Sequence, residues 1–290
     1  MAVNEGSWRH VAVNGRQPPS PLPTVYGRPS GRRYLVERIL QERPGPLGRV
    51  YLASGDSQQY VLKSVMQNDF TYFQYLYKDL QSSPYVRVAD GAIPDKSMFA
   101  YKYFKDHLLA FAQEDVPVPL VKRLLRDSLR GIASLHGKNI VHTDIKPNNI
   151  MLDWDVADLD DAANVPDDAA IIGRQVGNWM WRSPEAHASG PELGEGEEKL
   201  VIVLERQLSY FSGLESLVGL LDYLGDSPWV QIFTVIAEGF DKKHPRAPFA
   251  LCKDVDPEFR DLVVKMTNID PKRWITVHEA LGHHWFADID

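Results

Sequence analysis

The 290-residue chain has a single cysteine, Cys252, so it can form no internal disulfide and no cysteine-built zinc centre. It has no apolar run near the roughly 20 residues a membrane-spanning helix requires. It has no excess of positive charge either. Its 39 acidic and 32 basic residues give a net charge of −7, which removes the basic field that sequence-independent nucleic-acid binding depends on. The first ten residues include Asn4, Glu5, Arg9 and His10 and so contain no apolar signal core. These absences point to a cytoplasmic or nuclear protein, with neither membrane nor nucleic acid as partner. Glutamate is missing between Glu42 and Glu114, so a lysine in that stretch has only aspartates nearby in sequence.

What is present is a globular composition, 44% hydrophobic, enough for one large core or two smaller ones. Residues 15 to 33 carry five prolines among glycines and arginines, and no periodic apolar face survives there. Residues 1–33 therefore read as a flexible arm. From Tyr34, short β-like runs follow at Tyr34 to Leu40, Arg49 to Ala53, Tyr60 to Ser64 and Met98 to Tyr103, and they predict a small antiparallel sheet. Between the third and fourth runs, Phe70, Phe73, Leu76, Tyr77 and Leu80 share one helical face. After Lys105 the period becomes helical, with Leu120, Leu124, Leu125, Leu129, Ile132 and Leu135 ahead of the stop at Gly137. One long helix is expected from Leu200 to about Leu224, then a closing pair around Phe259 to Met266 and Val277 to Leu281.

The densest chemistry lies in HTDIKPNNI, residues 142 to 150. Phosphoryl transfer needs a carboxylate beside the attacking hydroxyl and a second group that reaches the metal at the phosphates. Asp144 and Asn149 have a suitable separation, and Lys146 lies between them. The octet resembles the catalytic loop of the protein kinase family, H-R-D-L-K-x-x-N, with Thr143 in place of the arginine that reads a phosphorylated activation loop. Upstream, RPGPLGRVYLA (43 to 53) is similar to the family's glycine-rich loop, with Gly45, Gly48 and Val50 in matching places and Pro44 and Pro46 removing two backbone donors. Lys63 in YVLK resembles the lysine that holds the α- and β-phosphates. Asp69 and Asp79 are the carboxylates at hand for the partner that a helix glutamate ordinarily supplies.

FAYKYFKDHLLAF (99 to 111) resembles the family's hinge between the lobes, in which Tyr101 would take the gatekeeper position and Lys102 to Phe104, Tyr103 among them, would offer backbone groups to adenine. VADLDDAA (156 to 163) resembles the strand ending in D-F-G, with Asp158 as the metal aspartate and Leu159 and Asp160 replacing the Phe and Gly. Ser183, Pro184 and Glu185 match the A-P-E triplet. No D-x-W-S-x-G helix follows the triplet, as though a segment were deleted after it, and Trp274 stands where an arginine normally pairs with that glutamate, leaving Arg273 as a substitute.

The resemblance implies an α+β, bilobal kinase-like fold: an N-lobe at 34–103, β-rich with one helix, and a shortened, mainly helical C-lobe at 104–290. It implies an ATP-dependent protein serine/threonine kinase acting on a protein substrate. Asp144 would be the base, Lys146 and Lys63 would assist at the phosphates, and Asn149 and Asp158 would hold Mg²⁺. Nucleotide would meet Gly45, Gly48, Val50, Lys63, Tyr101 and Tyr103. A pseudokinase, or a truncated kinase product that binds nucleotide or a partner without catalysis, is the standing alternative.

Overall fold

In the computed structural model, the structure describes residues 24–26, 31–42, 49–114, 116–142, 144–153 and 198–289. Two compact units divide the chain, one formed by residues up to 74 with 89–103, the other by 75–88 with residues 104 onward.

The first unit is a six-stranded antiparallel sheet in the order β1-β2-β3-β4-β6-β5. Its strands are β1 (Thr24–Tyr26), β2 (Arg33–Glu42), β3 (Arg49–Gly55), β4 (Gln58–Ser64), β5 (Gly91–Ile93) and β6 (Met98–Lys102). Alternation decides which face is core: in β2, Tyr34 and Val36 are buried while Leu35 is exposed. Tyr34, Val36, Ala53, Tyr60, Leu62, Ile93, Met98 and Ala100 pack together on that face. The β3–β4 hairpin turns on Asp56 and Ser57, both at positive φ as a type I′ turn requires, and Arg32 holds the Asp56 carboxylate at 2.7 Å. Two register shifts in β2 against β3 mark bulges, which increase the local twist.

Sequence reasoning assigned Thr24 to Tyr26 to the arm; instead they pair with Arg33 to Leu35 and form an edge strand. The correction has a simple cause: three residues are too few to show an alternating period, and surrounding proline and glycine hide them.

Helix α1 (Gln67–Leu80) follows β4. Residues 75–88, which the sequence reading placed with the N-lobe, group with the second unit. Polar and ring contacts tie them there: Ser83 Oγ donates to Ser134 Oγ at 2.9 Å, and the Arg130 guanidinium lies over Tyr85.

The second unit is mainly helical, with α2 (Leu108–Phe111), α3 (Val118–His136), α4 (Glu198–Phe211), α5 (Leu214–Leu224), α6 (Trp229–Glu238), α7 (Pro257–Met266) and α8 (Val277–Leu281). A short ladder pairs β7 (Asp106–His107) with β8 (Met151–Leu152). The single helix expected from Leu200 to Leu224 is two helices. Ser212 turns its hydroxyl back onto Leu208 O, Gly213 adopts an extended backbone, and Ser216 Oγ accepts the Gly213 N–H at 2.7 Å, so α5 starts with its own cap. The apolar period runs through the break and conceals it. Leu204, Leu208, Leu220, Trp229, Phe233 and Ile269 bury one another there. A second cluster packs Leu129 of α3 with Leu262, Ala280, Trp285 and Phe286. Among the described residues no helix is long and apolar enough to cross a membrane.

Candidate active site

Helix α3 delivers the chain to the catalytic-loop motif. Its apolar stripe is buried at Leu120, Leu124, Leu129 and Leu135, Gly137 ends it, and Ile140 is buried as the chain leaves. Pro147 then opens a single 3-10 turn, Pro147–Asn149, closed by the Asn149 N–H donating to Lys146 O at 2.9 Å. On its far side, Ile150 and Leu152 enter a core with Phe111, Leu120 and Leu124. The turn is thus held at both ends by apolar burial, and its polar side chains need not pack to stay in place.

Those side chains converge on one carboxylate. Lys146 Nζ lies 2.7 Å from Asp144 Oδ2, and Asn149 Nδ2 donates to the same oxygen at 2.9 Å and to Asp144 O at 2.7 Å. His142 Nδ1 accepts the Asp144 backbone N–H at 3.2 Å. Both acceptors facing Asn149 are oxygens, so the amide must present its NH₂ to Asp144 and turn Oδ1 away. Asp144 and Lys146 are partly exposed, with 36% and 24% of their side-chain surfaces open. That keeps the pair within reach of a ligand.

The segment after β6 supports this turn from the side. Asp106 and His107 pair with Leu152 and Met151, the Leu108 N–H donates to Ile150 O at 2.8 Å, and His107 caps α2 by accepting the Ala110 N–H at Nδ1. Sequence reasoning did not single out His107; a histidine in the Asn/Asp/Ser cap position is the signal that was there.

In the first unit, strand register groups another set. Val50 lies opposite Lys63, and Lys63 lies opposite Phe99. Directly opposed residues project to the same face, here the one away from the Tyr34 core. Lys63 is exposed and forms no ion pair among the described residues. Tyr101 is buried, its ring 6.4 Å from that of Phe99. The Tyr103 N–H donates to Gln59 O at 3.0 Å and is therefore spent on the sheet. Its carbonyl and ring are what Tyr103 has left to offer a ligand.

Gly45, Gly48, Asp158 and the Ser183 to Glu185 triplet lie outside the described residues. Arg273, the expected substitute partner for Glu185, contacts Glu215 Oε2 at 3.1 Å and lies 3.6 Å from Asp270 Oδ2.

The protein kinase domain family matches residues 45–195, just over half of the chain. Similar proteins include cyclin-dependent kinase B2-1 of Oryza sativa subsp. japonica, 24% identical over 195 residues that make up 61% of this chain and 60% of the relative. Serine/threonine-protein kinase pakA of Talaromyces marneffei is 25% identical over 175 residues, 58% of this chain and 24% of the relative. Serine/threonine-protein kinase ste20 of Emericella nidulans is 25% identical over 173 residues, 57% of this chain and 18% of the relative. The chain therefore spans 60% or less of the length of these relatives. With a small antiparallel sheet and one helix ahead of a mainly helical unit, and a family match over half its length, the chain belongs to the protein kinase domain family.

Proposed function

We propose that the chain is an ATP-dependent protein serine/threonine kinase that transfers the γ-phosphoryl group to a hydroxyl of a protein substrate. The observation that carries this reading is the Asp144–Lys146–Asn149 set, in which one carboxylate is oriented by two donors inside a buried-flanked turn. Asp144 accepts the proton of the attacking hydroxyl, which is the step a positioned carboxylate is suited to. Lys146 neutralises the carboxylate and lends its ammonium to the transferring phosphoryl group. Lys63, with Val50 beside it in register, meets the α- and β-phosphates, and Gly45 and Gly48 of the glycine-rich motif would lend them backbone contacts. Tyr101 backs the adenine site and Tyr103 borders it.

The donor set fits Mg²⁺, a hard cation that takes oxygen ligands. Asn149, through Oδ1, and Asp158 would hold it, and the ion would supply charge neutralisation at the phosphates. Cytoplasmic or nuclear placement, with no nucleic-acid or membrane partner, completes the reading.

A second reading is favoured by one observation: Lys63 has no carboxylate partner among the described residues. On that reading the chain is a pseudokinase, or the product of a shortened gene, and binds nucleotide or a partner without transfer. Phosphate incorporation from ATP into a protein acceptor separates the two. The kinase reading expects Mg²⁺-dependent transfer by the wild type and a loss of about 10²–10⁴-fold in Asp144→Asn. Equal background rates for both proteins contradict it.

A further inference from the structure

Helix α1 is the element that ordinarily presents a carboxylate to the strand lysine, and in kinases that ion pair can be made and broken as a switch. Here the helix is attached differently. Phe70, buried in its first turn, stacks on Phe99 of β6 with ring centroids 4.7 Å apart and planes at 21°. Phe99 is itself the cross-strand partner of Lys63, and Tyr101 lies tilted beside it. The stack therefore fixes the start of α1 over the strand position next to the lysine.

Polar contacts tie the same end of the helix. The Val65 N–H donates to Ser97 O at 2.9 Å, Ser97 Oγ bonds the Gln67 side chain, and the N–H groups of Asp69 and Phe70 return to Met66 O. Ser97 adopts a left-handed backbone, φ 48°, to make this reach. Asp69 and Asp79 are exposed and contribute no ion pair among the described residues.

Resting on the kinase reading above, we propose that Phe70 and Phe99 are the positioning residues for α1, and that nucleotide binding by this chain requires no carboxylate on that helix. A helix seated by burial needs no charge contact to hold it, so its placement should be less sensitive to ionic strength than that of a helix held by an exposed ion pair. The two rings act as one unit: once either is gone, the other loses its stacked neighbour.

The test uses the 290-residue chain with Phe70→Leu, Phe99→Leu, the double variant, Asp69→Asn and Asp79→Asn. Binding of a fluorescent ATP analogue with Mg²⁺ and amide exchange over residues 66–74 are measured for each. Each leucine variant is expected to bind about tenfold more weakly, the loss that follows when about a tenth of the molecules keep the helix seated. The double variant should be no weaker than the worse single one, the signature of a coupled pair. Both asparagine variants should stay within about twofold of the wild type. Additive losses in the double variant, or a tenfold loss in either asparagine variant, overturn the proposal. Should a leucine variant fail to fold, the asparagine variants decide it by the same criterion. If the wild type binds no nucleotide, the kinase reading fails while exchange still judges the stack: faster exchange in the leucine variants alone supports it, and equal rates throughout overturn it.

Discussion

Asn149 uses one amide group for two purposes. Its two N–H bonds fasten the turn to Asp144, and by doing so they turn Oδ1 outward. Asn149→Ala should therefore cost stability as well as metal affinity, about 1–2 kcal/mol from two lost bonds to a partly buried acceptor, read from denaturant unfolding without ligand. Unchanged stability would mean the turn is held by its apolar flanks alone. A second single-residue test concerns Asp288, whose carboxyl is held below its ordinary 3.8 mainly by the hydrogen bond from Lys122 Nζ at 2.7 Å. A depressed carboxylate stabilises the fold fully above its unfolded value and loses that contribution as pH falls through the lower folded one. Asp288→Asn should thus unfold at lower urea than the wild type at pH 7, and the gap should narrow below pH 3.8. A gap that persists in acid would point to packing rather than charge. The effect is small, because Asp288 is 65% exposed.

At the scale of elements, burial and backbone geometry explain what the helices can tolerate. Leu208 is fully buried between α4 and its neighbours, so Leu208→Ala should cost about 2–5 kcal/mol in denaturant unfolding. Gly219 lies against the Asp270 carboxylate, and a Cβ there would overlap it. Asp270 is buried and caps the Pro271–Arg273 turn by accepting the Lys272 N–H, so it has little freedom to retreat. Gly219→Ala should lower stability by about 1–3 kcal/mol, and a melting temperature at or above that of the wild type would refute the overlap.

Elements with a long apolar period were readable from the residues: α1 and α3 lie close to where Phe70 to Leu80 and Leu120 to Leu135 indicate. Elements without one were not. β1 and β5 have three residues each, and α6 lies between Pro228 and Gly239 in a stretch apolar on most sides. The cap at Gly213 depends on Ser216 turning back, a contact that spacing does not reveal.

For the whole molecule, the local part of the candidate site could be read and the non-local part could not. Asp144, Lys146 and Asn149 lie within six consecutive positions, so their chemistry is written in one motif. The grouping of Val50, Lys63 and Phe99 depends on strand register, which a one-residue slip would undo, and no short window of sequence records it. Partner choice was hidden for the same reason: Arg273 meets Glu215, 58 residues away. The family match ends at residue 195, shortly before α4, so the packing of α4 to α8 has to be understood from its own cores.

The central proposal is that this chain binds MgATP and that Lys63 and Asn149 each contribute to that binding. Melting temperature with ATP, in Mg²⁺ and in its absence, tests it for the wild type, Lys63→Met and Asn149→Ala. At about 100 times Kd, MgATP should raise the wild-type value by roughly 5 °C. Lys63→Met should lose most of that rise, and Asn149→Ala should lose only the part that Mg²⁺ adds. Identical shifts in all three proteins, or none in the wild type, would contradict the account.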